Sequence, residues 1–224
     1  MKKYKLTTET LQFAGRTLHR IKAVKDFDSI KAGEFGGWIE NEKNLSQDDN
    51  AWIYGDAMVF DNAEVYGNAN VFGYANVSGN ANVSGNAEVY GNANVFGYAE
   101  VYGNANVFGY AKVYGDANVS GNAEVSGNAE VSDYAKVYGN AAIKGDAKVH
   151  DAVDYIVFKN FWSSGRYFTW TSSNNKWSVG CFYGTSEELI KKAYADSEKS
   201  GREYERVVRY VESILADEKK EKSN

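Results

Sequence analysis

The sequence predicts an all-β solenoid, a parallel β-helix wound from six-residue rungs, with a small β cap before it and an α+β cap after it. Three observations carry this expectation. From Ile53 to Val149 an aliphatic residue recurs at every sixth position, seventeen times without a slip. Alanine follows four residues after each of the first sixteen, and glycine two residues after in fourteen of the seventeen, with Asp61, Asp133 and Asp151 as the departures. The 224 residues include no proline but 22 glycines and 17 tyrosines, and such an aromatic-rich chain is unlike a disordered one.

The repeat V-x-G-x-A-x has a physical reading. Its Val, Gly and Ala share one parity, so along a short strand they face one side and the x positions the other. Valine fills an interior, and alanine and glycine let the chain turn a corner close to it. A helix is excluded, because glycine every sixth residue costs about 1 kcal/mol each and the period does not match 3.6. Hairpins do not repeat identically every six residues. Three rungs per lap of a triangular prism satisfy the pattern, with laps stacked at roughly 4.8 Å. Seventeen rungs then give between five and six laps, about 25–30 Å of stack.

This run resembles the hexapeptide-repeat, left-handed β-helix superfamily over about half the chain, and the left hand of the coil is what that resemblance implies. The lead-in Val24–Ile39, with Asn44–Gln47 and Ala51–Tyr54, is similar to YdcK-like hexapeptide transferases and to hexapeptide proteins of bacteriophage and prophage genomes. Enzymes of the superfamily are generally acyltransferases that use a histidine base and loops extruded from the coils. Its carbonic-anhydrase branch needs three histidines around a metal.

The stack needs covers for its strand edges. Residues 1–38 form the expected N-terminal cap, with strands Thr10–Phe13 and Thr17–Val24 joined across Ala14-Gly15-Arg16 and with Phe35, Trp38 and Trp52 packing on the first coil. The helix occupies 39–151. Residues 152–216 read as strands Tyr155–Lys159, Tyr167–Thr171 and Lys176–Phe182, then two helices. Thr185 and Glu188 make a capping box for the first. The second runs from about Gly201 to Ala216 with Tyr204, Val208 and Val211 on its apolar face, and 217–224 is a charged tail.

Charge limits the partners. Residues 1–38 carry eight Lys/Arg and four Asp/Glu (+4), 39–151 five and fifteen (−10), and 152–224 twelve and eleven (+1). The coil therefore has the wrong sign for phosphate neutralisation, which argues against nucleic acid. The N-terminus lacks an apolar h-region and no stretch approaches a membrane span, so a cytoplasmic location without membrane contact is expected. The single cysteine, Cys181, sits in an apolar run and reads as a buried, inert thiol.

Catalytic groups are scarce. There are two histidines, His19 and His150, so a three-histidine metal site cannot form within one chain. His150 and Asp151 are neighbours on a strand and point to opposite faces, so they do not read as a base with its orienting carboxylate. No rung carries an inserted loop, and no threonine occurs between Thr17 and Thr169, which excludes an antifreeze-type face. No catalytic residue, metal or cofactor is expected.

The outward positions are more informative. Taking every third rung, one side of the prism presents Tyr54, Phe72, Tyr90 and Phe108, then Ser126 and Lys144. A second presents Phe60, Ser78, Phe96, Tyr114, Ser132 and His150, and the third alternates Tyr66, Ser84, Tyr102, Ser120 and Tyr138. Asn68, Asn86, Asn104, Asn122 and Asn140 form a corner column suited to a stacked amide ladder. The first aromatic column, with Tyr74 and Tyr110 near its edge, is either a cross-strand stack, a protein interface or a platform for a glycan. Trp162, Trp170 and Trp177 are either cap core or contact surface. The function expected is a non-enzymatic binding or assembly protein of phage or prophage origin, one that counters a host defence by sequestering a host protein or small molecule. Its partner is a host protein or a second copy (dimer or trimer), with a small molecule as a further option. The alternative is an acyltransferase with its site between protomers.

Overall fold

The computed structural model describes residues 2–221 and divides into two compact units, one ending at Asp154 and the other beginning at Tyr155. In the first unit, β1 (Tyr4–Phe13) and β2 (Arg16–Ala23) form an antiparallel hairpin closed by Ala14 and Gly15, both with positive φ. β1 begins six residues earlier than the sequence suggests. β2 pairs antiparallel with β3 (Phe35–Ile39), and β3 then pairs in parallel with the coil through Trp38↔Met58 and Ile39↔Val59. This strand converts an antiparallel cap into a parallel stack. Its Gly37 runs so close to the first coil that a Cβ there would lie 2.6 Å from the Ala57 carbonyl oxygen.

The coil consists of seventeen two-residue strands, β4 (Trp52–Ile53) to β20 (Lys148–Val149), at a constant spacing of six residues. They stack in parallel into three sheets, and a β-branched aliphatic meets another in each pairing, as in Val71↔Val89 and Val89↔Val107, with Ile53 on Val71 and Ile143 on Val125 at the ends. Backbone N–H groups of one lap donate to carbonyls of the next, from Tyr54 to Val71 (2.8 Å) and Asn68 to Gly85 (2.7 Å) among others. Every aliphatic residue of the repeat is fully buried, and the alanines with them. At about 1.5–3 kcal/mol per fully buried aliphatic side chain, this dry column is the main stabilising term.

The glycines correct one expectation. They sit at the corners, as the bend requires, but they are partly exposed and do not share the inward face of Val and Ala, with φ near +70°. The N–H of Ala87 donates to the Ser84 carbonyl across Gly85, so glycine holds the first central position of a tight turn where φ must be positive. Stacking adds a second constraint, for a Cβ on Gly79 would lie 2.9 Å from the Gly97 nitrogen. Asp61 and Asp133 take the same left-handed backbone, which a short polar side chain tolerates, and the Asp61 carboxylate accepts the Gly79 N–H (3.1 Å).

The first lap exposes carbonyls with no lap before it. Lys3, fully buried, donates from Nζ to the carbonyls of Ala51 (2.8 Å) and Asp49 (2.9 Å), and Asn44 Nδ2 donates to Ala63 (2.8 Å) and Asp61 (3.1 Å). Burial lowers the Lys3 pKa and the Asp49 carboxylate opposes the shift. Trp38 and Trp52 pack in this cap as expected. Phe35 does not: it is exposed, with the Lys22 ammonium over its ring. At the other end the Asp154 carboxylate accepts the N–H groups of His150 and Asp151.

The second unit is an antiparallel sheet, β21 (Tyr155–Lys159), β22 (Tyr167–Thr171), β23 (Lys176–Val179) and β24 (Phe182–Gly184), with α1 (Ser186–Asp196) and α2 (Glu198–Glu221). Phe168, Trp170, Trp177, Leu189, Tyr204 and Val208 form its core. Four expectations are corrected. The segment Lys176–Phe182 is a hairpin and not one strand, because Gly180 turns at φ +57°, and this places Cys181 at the exposed tip. The second helix starts three residues earlier and continues through the charged stretch to Glu221, and Arg206–Glu203 and Arg209–Glu212 pairs lace the surface of its middle turns. The remaining tail residues 222–224 lie outside the described residues. Thr185 caps α1 reciprocally with Glu188, as its sequence suggests.

Candidate functional site

Rungs three apart share a face, so the 18-residue lap brings Tyr54, Phe72, Tyr90 and Phe108 into one column. Phe72 and Tyr90 stack with centroids 4.6 Å apart and planes 2° from parallel, and Tyr90 and Phe108 at 4.8 Å and 3°. Tyr54 ends the column edge-on to Phe72 at 6.5 Å. Stacked rings turn their faces to each other and only their edges outward. A glycan platform needs an open ring face, so the stacking argues against the glycan reading.

The neighbouring column on the same face alternates amide and carboxylate: Asn70, Glu88, Asn106 and Glu124. Tyr54, Asn70, Phe72 and Glu88 line a shallow depression of about 380 Å³. Partial burial raises the Tyr90 phenol pKa, with Glu88 and Glu124 adding to it, and burial raises that of Tyr54 likewise. Lys144 closes the far end by pairing with Glu124 at 3.0 Å. Tyr74 and Tyr110 stand on the adjoining corner, two laps apart and 63% and 64% exposed.

The asparagine column is a structural ladder. Asn50, Asn68, Asn86 and Asn104 each donate an amide N–H to the next asparagine at 3.0–3.1 Å. In the second unit Trp170 and Trp177 belong to the core, donating to Asn175 (3.0 Å) and Ser186 (3.1 Å), so neither offers a contact surface. Trp162 remains outside at 63% exposure and lines a depression of about 400 Å³ with Phe158, Arg206 and Tyr210.

His150 has a partner that sequence adjacency misses. Its Nδ1 lies 2.7 Å from Ser132 Oγ and 3.3 Å from Asp133 Oδ2, one lap below. Both contacts fall on the same ring nitrogen, whereas a nucleophile–base–carboxylate relay uses one on each nitrogen. The column order already sets Ser132 beneath His150; Asp133 joins because it holds the corner in a left-handed turn. Among the described residues no group of three or more His, Cys, Asp or Glu side chains is placed to hold a metal, and no helix is long and apolar enough to cross a membrane.

No family model matches the chain. It is 39% identical over 62 residues to a protein described as uncharacterized acetyltransferase YdcK, from Escherichia coli (strain K12). That match covers 24% of this chain and 19% of the relative, so the chain spans about a fifth of the relative's length. The six-residue repeat, the parallel coil of about six turns and this match fit a hexapeptide-repeat β-helix superfamily, and the chain itself is a parallel β-solenoid with an antiparallel sheet and helices in its second unit.

Proposed function

We infer that the chain is a binding or assembly module whose contact surface is the aromatic face of the coil, and that its work is recognition and not catalysis. The observation that carries this reading is the Phe72–Tyr90–Phe108 stack. It sets a ridge of ring edges on a backbone hydrogen-bonded from lap to lap, with Asn70, Glu88, Asn106 and Glu124 alongside as hydrogen-bonding groups. Rigid aromatic anchors beside polar groups suit a protein partner, because little side-chain entropy is lost on contact. The constant spacing of the strands supports the same reading, since each rung follows the last with no inserted loop to wall a donor pocket. A cytoplasmic setting, a phage or prophage origin and the sequestering of a host component belong to this proposal, the origin resting on the lead-in resemblance alone.

The test is capture from bacterial lysate by the wild-type chain and by a Phe72→Ser, Tyr90→Ser double variant. A partner retained by the first and lost by the second supports the reading. Equal retention, or none, removes it. The acyltransferase alternative draws on the acetyltransferase description of the matched relative. Acetyl-CoA that raises the melting temperature would favour it, because a ligand bound only to the folded state must stabilise that state.

A further inference from the structure

The third face of the prism carries a different pattern from the aromatic ridge. Ser46 pairs ahead of Tyr66 through the Leu45↔Val65 bridge, and the column then reads Ser46, Tyr66, Ser84, Tyr102, Ser120, Tyr138, one residue per lap. The three tyrosines are 43%, 41% and 62% exposed. Laps lie roughly 4.8 Å apart, so rings two laps apart leave a slot of about 9.6 Å over each intervening serine. A ring placed midway in such a slot would stand about 4.8 Å from each neighbour. That is the spacing at which Phe72, Tyr90 and Phe108 stack on the first face.

We propose that this face is a homodimer interface in which two copies run antiparallel, Tyr66 and Tyr102 of each entering a serine slot of the other and Tyr138 covering Ser46 at the open end of the column. A two-fold axis lying across the face and perpendicular to the stack sets every column against its own copy with the lap order reversed. With the axis between the Ser84 and Tyr102 laps, Tyr102 faces the other copy's Ser84, Tyr66 its Ser120 and Tyr138 its Ser46. The result is one continuous stack with rings contributed alternately.

Two further columns obey the same operation. Glu64 falls opposite Asn118 and Glu100 opposite Asn82, so no carboxylate meets another. On the adjoining corner the exposed Tyr98 meets Asn80, and Asp116 meets Asn62. A second copy is the occupant that fits because it alone brings the same 36-residue period on an equally rigid lattice. A parallel two-fold arrangement would set the Tyr/Ser column against the Glu/Asn column and lose the slots. The face is one strand wide, below the roughly 800 Å² per partner of a standard interface, so the dimer is reversible.

This inference is independent of the first face, and its test separates the two. Sedimentation equilibrium between about 1 and 200 µM should show wild-type chain passing from single to double mass. Tyr102→Ser removes the central ring and Ser84→Tyr fills its slot. Both leave a side chain that the same column already carries elsewhere, and unchanged circular dichroism confirms folding. Each should weaken dimerisation at least about tenfold, and Phe72→Ser should leave it unchanged. A wild type that stays monomeric, a triple mass, a Ser84→Tyr variant that dimerises like wild type, or a Phe72→Ser variant that does not dimerise would each overturn the proposal.

Discussion

A Cβ added to Gly97 would lie 2.9 Å from the backbone nitrogen of Gly115, a residue one lap further on. The contact explains why the corner position is so restricted, for it must accept φ +77° and also make room for the next backbone. Gly97→Ala should therefore destabilise by about 2–4 kcal/mol, strain plus displacement. Gly139, with φ +71° and nothing within 4 Å of its Cβ position, should lose only about 1 kcal/mol on the same change. Urea unfolding of the two variants measures the difference, and equal losses would leave stacking without a role.

The Lys3 ammonium replaces a missing lap by donating to the Asp49 and Ala51 carbonyls. Lys3→Met keeps the apolar stem but leaves those buried acceptors unpaired, at a cost of about 2–4 kcal/mol in thermal or urea unfolding. Its lowered pKa sets a sign as well. The unfolded chain holds that proton more tightly, so this group's contribution rises with pH between its folded pKa and the ordinary lysine range. Lys3→Met should abolish that rise.

Tyr90 behaves in the opposite sense. Its folded pKa is raised, so the folded state keeps a proton that the unfolded chain gives up above about pH 10. The stability it contributes is complete below that pH and is lost as pH climbs toward the folded value. Ultraviolet titration should show phenols ionising later than free tyrosine, and Tyr90→Phe should remove part of that late component while leaving the stack in place.

In the second unit, Thr185→Ala removes the side-chain oxygen that accepts the Glu188 N–H (3.3 Å). A loss of about 1 kcal/mol is expected. Thr185→Ser should restore most of it, because serine keeps the acceptor.

Much of the coil is legible in the sequence because the interior of a prism admits one side-chain size per position, and Val and Ala report it at every rung. The side on which the glycines face is less legible. Parity puts them inside, yet a residue in a left-handed turn leaves the alternation on which parity depends. Ser132 and His150 are recoverable once the 18-residue lap is known, whereas the Asp133 contact depends on a corner conformation that no pattern encodes. The aromatic columns could be written down in order, but whether rings stack face to face, as Phe72 and Tyr90 do, is decided by side-chain geometry. The exposure of Cys181 is not legible in its apolar run, because the turn at Gly180 interrupts that run and sets the thiol at a tip. Trp162 and Trp177 are alike in sequence setting and opposite in exposure, since hairpin and loop decide which one the helices cover.

Because an aliphatic residue stands on an aliphatic residue at each pairing, any eighteen consecutive residues of the coil can be excised and the cut ends will still meet in register. Length is thus a property that the loss or gain of whole laps can alter without touching the architecture. The decoration is less forgiving. Excising the turn that carries Ser84 would bring Tyr66 directly beneath Tyr102 and break the alternation there, whereas excising thirty-six residues would preserve it, so the length unit that leaves this face intact is a pair of turns.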